Sequence, residues 1–225
     1  MKKKKYYLFE MNMNVLNVVS ILLFILPILL TLWFYKIGVI DNWNYPMGLI
    51  FILMVPYLIF HEILHSIGYV LFGAKWDRIT FGAHIEKGVL CCLCKQNITK
   101  KNILISLLFP FFWIGIVTYV IGILMDWPIL IALSIVNISG CAGDIIMFLD
   151  FLGIKGFEYC EYDNPTAFGL YSEEDLSSKK LFGLKYVETK NQLEIEDLQK
   201  VSISKTSIIA FTIILAVGVL YMLFL

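Results

Sequence analysis

Residues 61–65 read His61-Glu62-Ile63-Leu64-His65 and lie inside Met47–Phe72, an apolar run long enough to cross a bilayer. Two histidines four apart share one face of a helix, about a turn from each other, so both imidazoles can reach one metal ion. The glutamate beside the first can then act on a water at that ion. A charged residue at the centre of a span costs about 2.5–3.5 kcal/mol on insertion scales. Polar groups kept there at that cost are read as functional by default.

The surrounding composition supports a membrane setting. Of 225 residues, 59% are hydrophobic and 16% charged, with a mean hydropathy of +0.79. A soluble domain is nearer 45–50% apolar and about a quarter charged. The chain therefore reads as an integral membrane protein with room for one modest soluble segment. Its formal net charge is zero, and no basic stripe points to nucleic acid.

Five runs reach the roughly 20 residues a spanning helix needs: Val15–Tyr35, Met47–Phe72, Ile103–Met125, Ile129–Leu152 and Thr206–Leu225. The expected fold is all-α, a bundle of about five transmembrane helices. Residues 1–153 form the membrane domain that carries the site, 154–205 a small cytosolic segment, and 206–225 a C-terminal transmembrane helix. Lys2–Lys5 precede the first run, which is too long for a signal peptide's apolar core and lacks a small-residue cleavage site, so it reads as an uncleaved span. A cytosolic N-terminus puts inside Lys2–Lys5, the basic residues of the 73–102 loop (Lys75, Arg78, Lys87, Lys95, Lys100, Lys101) and those of 153–205. Lys36 alone then stays outside, as the positive-inside rule favours. Trp33, Trp43 and Trp127 fall at the outer interface and Trp76 at the inner one. Five spans place the C-terminus outside.

Between the second and third runs, Arg78–Ile85 and Val89–Cys94 flank Glu86-Lys87-Gly88, the pattern of a β-hairpin; a plain connector is the alternative. Residues 153–205 are mixed and polar, read either as a small cytosolic cap or as partly disordered. Cys91, Cys92 and Cys94 can bind metal, but no second pair at zinc-site spacing accompanies them. In cytosolic segments they are expected to be reduced. His84 reads as a surface or hairpin residue, Asp163-Asn164-Pro165 as a turn, and Glu173-Glu174-Asp175 as solvated surface.

A hydrolytic zinc site needs three protein ligands and one open position. His61 and His65 supply two, and the third must come from another span at the same depth. With a rise of about 1.5 Å per residue, His65 lies roughly 12 Å and His61 roughly 18 Å from the end of the second span near Gly73. Asp144 lies roughly 13–14 Å from the end of the fourth span near Gly153, whereas Asp150, at roughly 4–5 Å, is too shallow. Asp144 is therefore the expected third ligand. Asn137, seven residues earlier on the same face, can hydrogen-bond a substrate backbone or a developing oxyanion, or serve as a bond between helices. Gly140 and Cys141, between them, let two helices approach closely. The chemistry such a set supports is hydrolysis, with zinc as Lewis acid and Glu62 as general base.

HEILH at 61–65, the segment Asn137 to Gly143-Asp144, and SLLFPF at 106–111 resemble the bacterial membrane family named putative zincin peptidases, itself distantly similar to the site-2 proteases. KGVLCCLCK at 87–95 and DNPTAFG at 163–169 add softer matches. The resemblance implies zinc on His61, His65 and Asp144, Glu62 as base, and a peptide or membrane-protein substrate. It also implies that the 79–94 hairpin holds substrate in extended form. The acidic ligand of site-2 proteases sits in Leu-Asp-Gly, where this chain has Gly-Asp-Ile. Two other readings stay open: a catalytically silent zinc-binding scaffold or regulator, which would tolerate loss of Glu62, and a divalent-metal transporter, which would need polar groups on both sides of the site. Substrate and oligomeric state are not legible.

Overall fold

The computed structural model describes residues 5–41, 47–84, 89–94, 96–161 and 167–190. The first four apolar runs are helical. The first is α1, Met13–Lys36, begun by Asn12, whose side chain accepts from the Asn14 N–H. The second is α2, Met47–Leu71, which continues through Pro56. The third run divides into α3 (Lys100–Pro110), a π-helical stretch at Phe111–Val117, and α4 (Thr118–Leu124). The fourth divides into α5 (Pro128–Gly140) and α6 (Ala142–Leu152), which meet at Cys141 with a bend of 45°. Among the described residues, three helical segments are long and apolar enough to cross a membrane, or four if the bent pair is one span. The fifth run, Thr206–Leu225, lies outside the described residues.

Outside the helices the all-α expectation is corrected. The hairpin is present: β2 (Ile79–His84) pairs antiparallel with β3 (Val89–Cys94), from Ile79 opposite Cys94 to His84 opposite Val89. A second sheet has five antiparallel strands. They are β1 (Lys5–Met11), β4 (Ile98–Thr99), β5 (Phe157–Glu161), β6 (Ala167–Ser172) and β7 (Leu184–Lys190), in the order β4-β5-β6-β1-β7. The N-terminal residues thus form a central strand among strands drawn largely from the 153–205 segment. Tyr6, Tyr7, Leu8 and Phe9 are all buried. A strand covered on both faces shows no alternation of apolar and polar residues, so Tyr6–Phe9 merge in the sequence with the lead-in to α1.

One core joins the two sheets to the helices. Phe9 and Tyr7 of β1 pack with Phe168 and Leu170 of β6, Phe151 of α6, Tyr69 of α2, Ile103 and Leu107 of α3, and Cys92 and Cys94 of β3. The Phe151 ring is central, with its centroid 5.0 Å from that of Phe157 and 5.6 Å from that of Phe168. Burying one such ring stabilises by about 1.5–3 kcal/mol.

Asp150 fastens the five-stranded sheet to α6. It is only 4% exposed and accepts hydrogen bonds from the backbone N–H groups of Phe182 (2.6 Å) and Gly183 (2.9 Å). Gly183 also accepts, at its carbonyl, from the Asn12 N–H (2.8 Å). A β-carbon at Gly183 would lie 2.2 Å from Ile146, so only glycine lets the chain pass this close to α6. Asp150→Ala would leave two amides next to the core without their acceptor, which costs about 1–3 kcal/mol for each group that stays buried and unpaired. Chemical denaturation of the detergent-solubilised protein should show a loss of at least about 2 kcal/mol, with Asp150→Asn intermediate.

Candidate metal centre

The α2 helix places His61 and His65 one turn apart, and both are 7% exposed. The break at Cys141 starts α6 afresh, and Asp144 falls in its first turn, where a carboxylate is favoured by the helix dipole. The three side chains converge. His61 Nε2 and His65 Nε2 are 3.1 Å apart, His61 Nε2 is 3.5 Å from Asp144 Oδ2, and His65 Nε2 is 3.4 Å from Asp144 Oδ1. Among the described residues this is the group of His, Cys, Asp and Glu side chains placed to hold a metal ion.

The opposite ring nitrogens decide what those atoms offer. His61 Nδ1 lies 2.8 Å from Asn137 Oδ1, and His65 Nδ1 lies 3.0 Å from the Ser106 carbonyl. Both partners are acceptors, so each ring carries its proton on Nδ1 and turns a lone pair inward from Nε2. Two lone pairs and a carboxylate then face one point, an arrangement that a cation satisfies. Zinc with bonds of about 2.0–2.1 Å in tetrahedral geometry holds its ligand atoms about 3.3 Å from one another. The observed separations of 3.1–3.5 Å fit that triangle.

The groups behind the histidines follow from the irregularity of the third run. Pro110 lacks an N–H and sits four residues after Ser106, so the Ser106 carbonyl has no helical donor. The next N–H, that of Phe111, goes to Leu108 instead. His65 takes the vacant carbonyl, and Ser106 Oγ donates back to the His65 carbonyl at 3.0 Å. Gly68 allows this contact: a β-carbon there would lie 2.9 Å from Ser106 Oγ and 3.0 Å from Ser106 Cα. Asn137 is anchored at the same junction, its Nδ2 donating to the Pro110 carbonyl at 3.2 Å.

Asn137 is 1% exposed, its oxygen faces His61 and its nitrogen donates to the Pro110 carbonyl, so both ends of the amide bond to other helices, as the inter-helix reading expects. Cys141 lies behind the same ring, with Sγ 3.9 Å from His61 Nδ1 and 3.6 Å from Asn137 Nδ2. Glu62 is half-buried beside both histidines on α2, the helix against which β3 packs.

Cys92 and Cys94 are buried in the core, outside the convergent group. Glu173, Glu174 and Asp175 are exposed, as expected. The Ser177 hydroxyl and N–H donate to Asp175 and hold its carboxyl below the usual carboxylate range. His84 falls on β2 opposite Val89, and Asp163-Asn164-Pro165 lies outside the described residues. Sequence reasoning missed Ser106 and Gly68 as parts of the site. The proline four residues after Ser106 was the available signal for the first.

Groups that orient a metal-binding histidine typically change metal affinity 10–100-fold when removed. Asn137→Leu, which keeps the volume and removes the acceptor, should weaken divalent-ion binding by about that factor, measured by competition with a chromophoric chelator.

Comparison with known proteins gives one family match. Residues 51–154 match the model of a family described as "Putative zincin peptidase". That stretch includes the α2 motif, the β2–β3 hairpin, the whole third run and Asp144. No curated protein and no solved structure matches the chain. The stretch that is similar to the putative zincin peptidases, a little under half of the chain, is thus the part that builds the whole convergent group.

Proposed function

We propose that the protein is an intramembrane zinc metalloprotease with His61, His65 and Asp144 as metal ligands and Glu62 as general base. The observation that carries this reading is the meeting of three lone-pair donors from two helices at zinc-like separations, with both histidines held from behind. A set of two histidines and one carboxylate suits zinc and leaves a fourth position open. The family match and the long apolar helices support the peptidase and membrane parts of the reading. By the distribution of lysine and arginine, the N-terminus and both sheets face the cytosol.

Zinc bound here would supply a Lewis acid for the scissile carbonyl and an activated water. Glu62, adjacent to the ligands, accepts a proton from the attacking water and returns it to the leaving amine. Asn137 and Ser106 keep the two imidazoles in the tautomer that ligation requires. The hairpin packs on α2, and by the family likeness it would hold an extended peptide at the site.

The transporter alternative has less support. One turn before His61, Tyr57 donates to the Ile114 carbonyl, its hydroxyl lies 2.8 Å from that of Thr118, and Thr118 bonds Ser134 at 2.7 Å. These hydroxyls close on one another and on backbone carbonyls, which ties helices together rather than lining a path for an ion.

Metal analysis of the detergent-purified protein tests the reading. About one zinc per chain is expected for wild type, lost in His65→Ala and Asp144→Asn and kept in Glu62→Gln. Wild type reconstituted with a membrane-anchored reporter peptide should cleave it, and Glu62→Gln should lower the rate roughly 10²–10⁴-fold, the usual contribution of a general base. Zinc retention with no cleavage by wild type would favour the silent scaffold, and absence of zinc after reconstitution would sink both.

A further inference from the structure

Of the 24 residues in α1, only Pro27 and Thr31 are buried. One side of this helix packs on α5, where the Ser20 and Ser139 hydroxyl oxygens lie 2.9 Å apart. Between α1 and the half of the third run that lies away from the sheets is a groove of about 560 Å³, lined almost wholly by apolar side chains.

The walls of the groove are helix seams. Leu23, Pro27, Leu30 and Phe34 line it from α1 at steps of four, three and four residues, the period of a stripe that meets another helix. Ile116, Val120 and Ile123 line the other wall, and Ile138 of α5, the helix that packs on both α1 and α4, lines the floor. The walls are fixed to each other. The Tyr119 hydroxyl donates to the Pro27 carbonyl at 2.9 Å and lies 2.7 Å from the Thr31 hydroxyl. The slot is therefore built into the fold, yet Leu26, Leu30, Val120 and Leu124 along it stay exposed.

The sequence has one further apolar run to seat, Thr206–Leu225, whose 20 residues would make a helix of about 30 Å. It follows β7, the edge strand next to β1, and β1 leads directly into α1. At that junction the Gly183 carbonyl accepts from the Asn12 N–H. The 15 residues from 191 to 205 can span up to about 50 Å, about twice the roughly 23 Å of β7 itself. That reach delivers the run to the side of α1. On a helix Thr212, Ala216 and Val219 share one face, and small residues four apart let a membrane helix approach its neighbours closely.

We propose that Thr206–Leu225 is a helix seated in this groove, with Thr212, Ala216 and Val219 turned to α1 and α4. It completes the bundle on the side away from the sheets. It also bears on Ile138, the chain neighbour of the Asn137 that holds His61. A transmembrane substrate then has no access to the bundle by this groove.

Photocross-linking of the full-length protein in lipid nanodiscs tests the proposal. A benzophenone amino acid is introduced by nonsense suppression at Leu30 on one wall or at Val120 on the other. A third variant carries it at Phe51, an exposed residue of α2, as the control. No lysine or arginine follows Lys205, so trypsin releases the run as one peptide. Both wall positions should capture that peptide, mainly at Thr212, Ala216 and Val219, and Phe51 should not. Mixing chains grown on light and heavy nitrogen separates links within one chain from links between copies, and the expected links lie within one chain. Lipid adducts alone, links to a second copy, or capture from Phe51 and not from the walls would overturn the proposal. The two walls are separate variants, so one that fails to insert leaves the other to decide. The readout needs no metal, so its outcome is independent of the peptidase reading.

Discussion

The Ser106 carbonyl has no partner within its own helix, because the residue four positions on is Pro110. An unpaired carbonyl buried among apolar helices is costly, so a donor must be brought to it. His65 Nδ1–H is that donor. The bond fixes the proton on Nδ1 and leaves the Nε2 lone pair facing the point where His61 and Asp144 converge. At the same junction the Pro110 carbonyl holds Asn137, and Asn137 does for His61 what Ser106 does for His65. Both imidazoles are oriented by one irregular stretch of the third run, which itself contributes no atom to the convergent point.

The second irregularity is the break at Cys141. An unbroken helix through 128–152 would place Asp144 in mid-helix, where its charge would gain nothing from the helix dipole. Ending α5 at Gly140 and starting α6 at Ala142 puts Asp144 in a first turn, and the 45° bend redirects the chain toward the cap of the fold. The same short helix ends at Asp150 and Phe151, the two residues that fasten the five-stranded sheet. A carboxylate facing the histidines and a carboxylate holding the sheet are thus six residues apart on one rigid element. The hairpin packs on α2, the helix that carries both histidines. Regular helices supply the scaffold, and the departures from regularity supply the geometry.

Much of this was legible in the amino-acid sequence. Apolar runs of spanning length were readable as helices because, in a bilayer, helix formation satisfies each backbone group locally. The helical period put His61 and His65 on one face, and the helical rise put Asp144 at their level in another run; these are local or one-dimensional properties. The hairpin was readable from its two short strands around a glycine-containing turn.

Two features had no such local signature. The five-stranded sheet draws β1 from the N-terminus and its other strands from residues 98–190, a pairing set by which distant strands can share the core around Phe151. Asn137 carried a polar side chain at the right depth, but whether its amide faced a substrate or a histidine depended on where the Pro110 carbonyl lay, in another run. Residue type and spacing determined which groups were capable of holding a metal ion. Only the packing of α2 against α3, α5, α6 and β3 decided which backbone and amide groups would hold them in place, because those partners are set by distance in space.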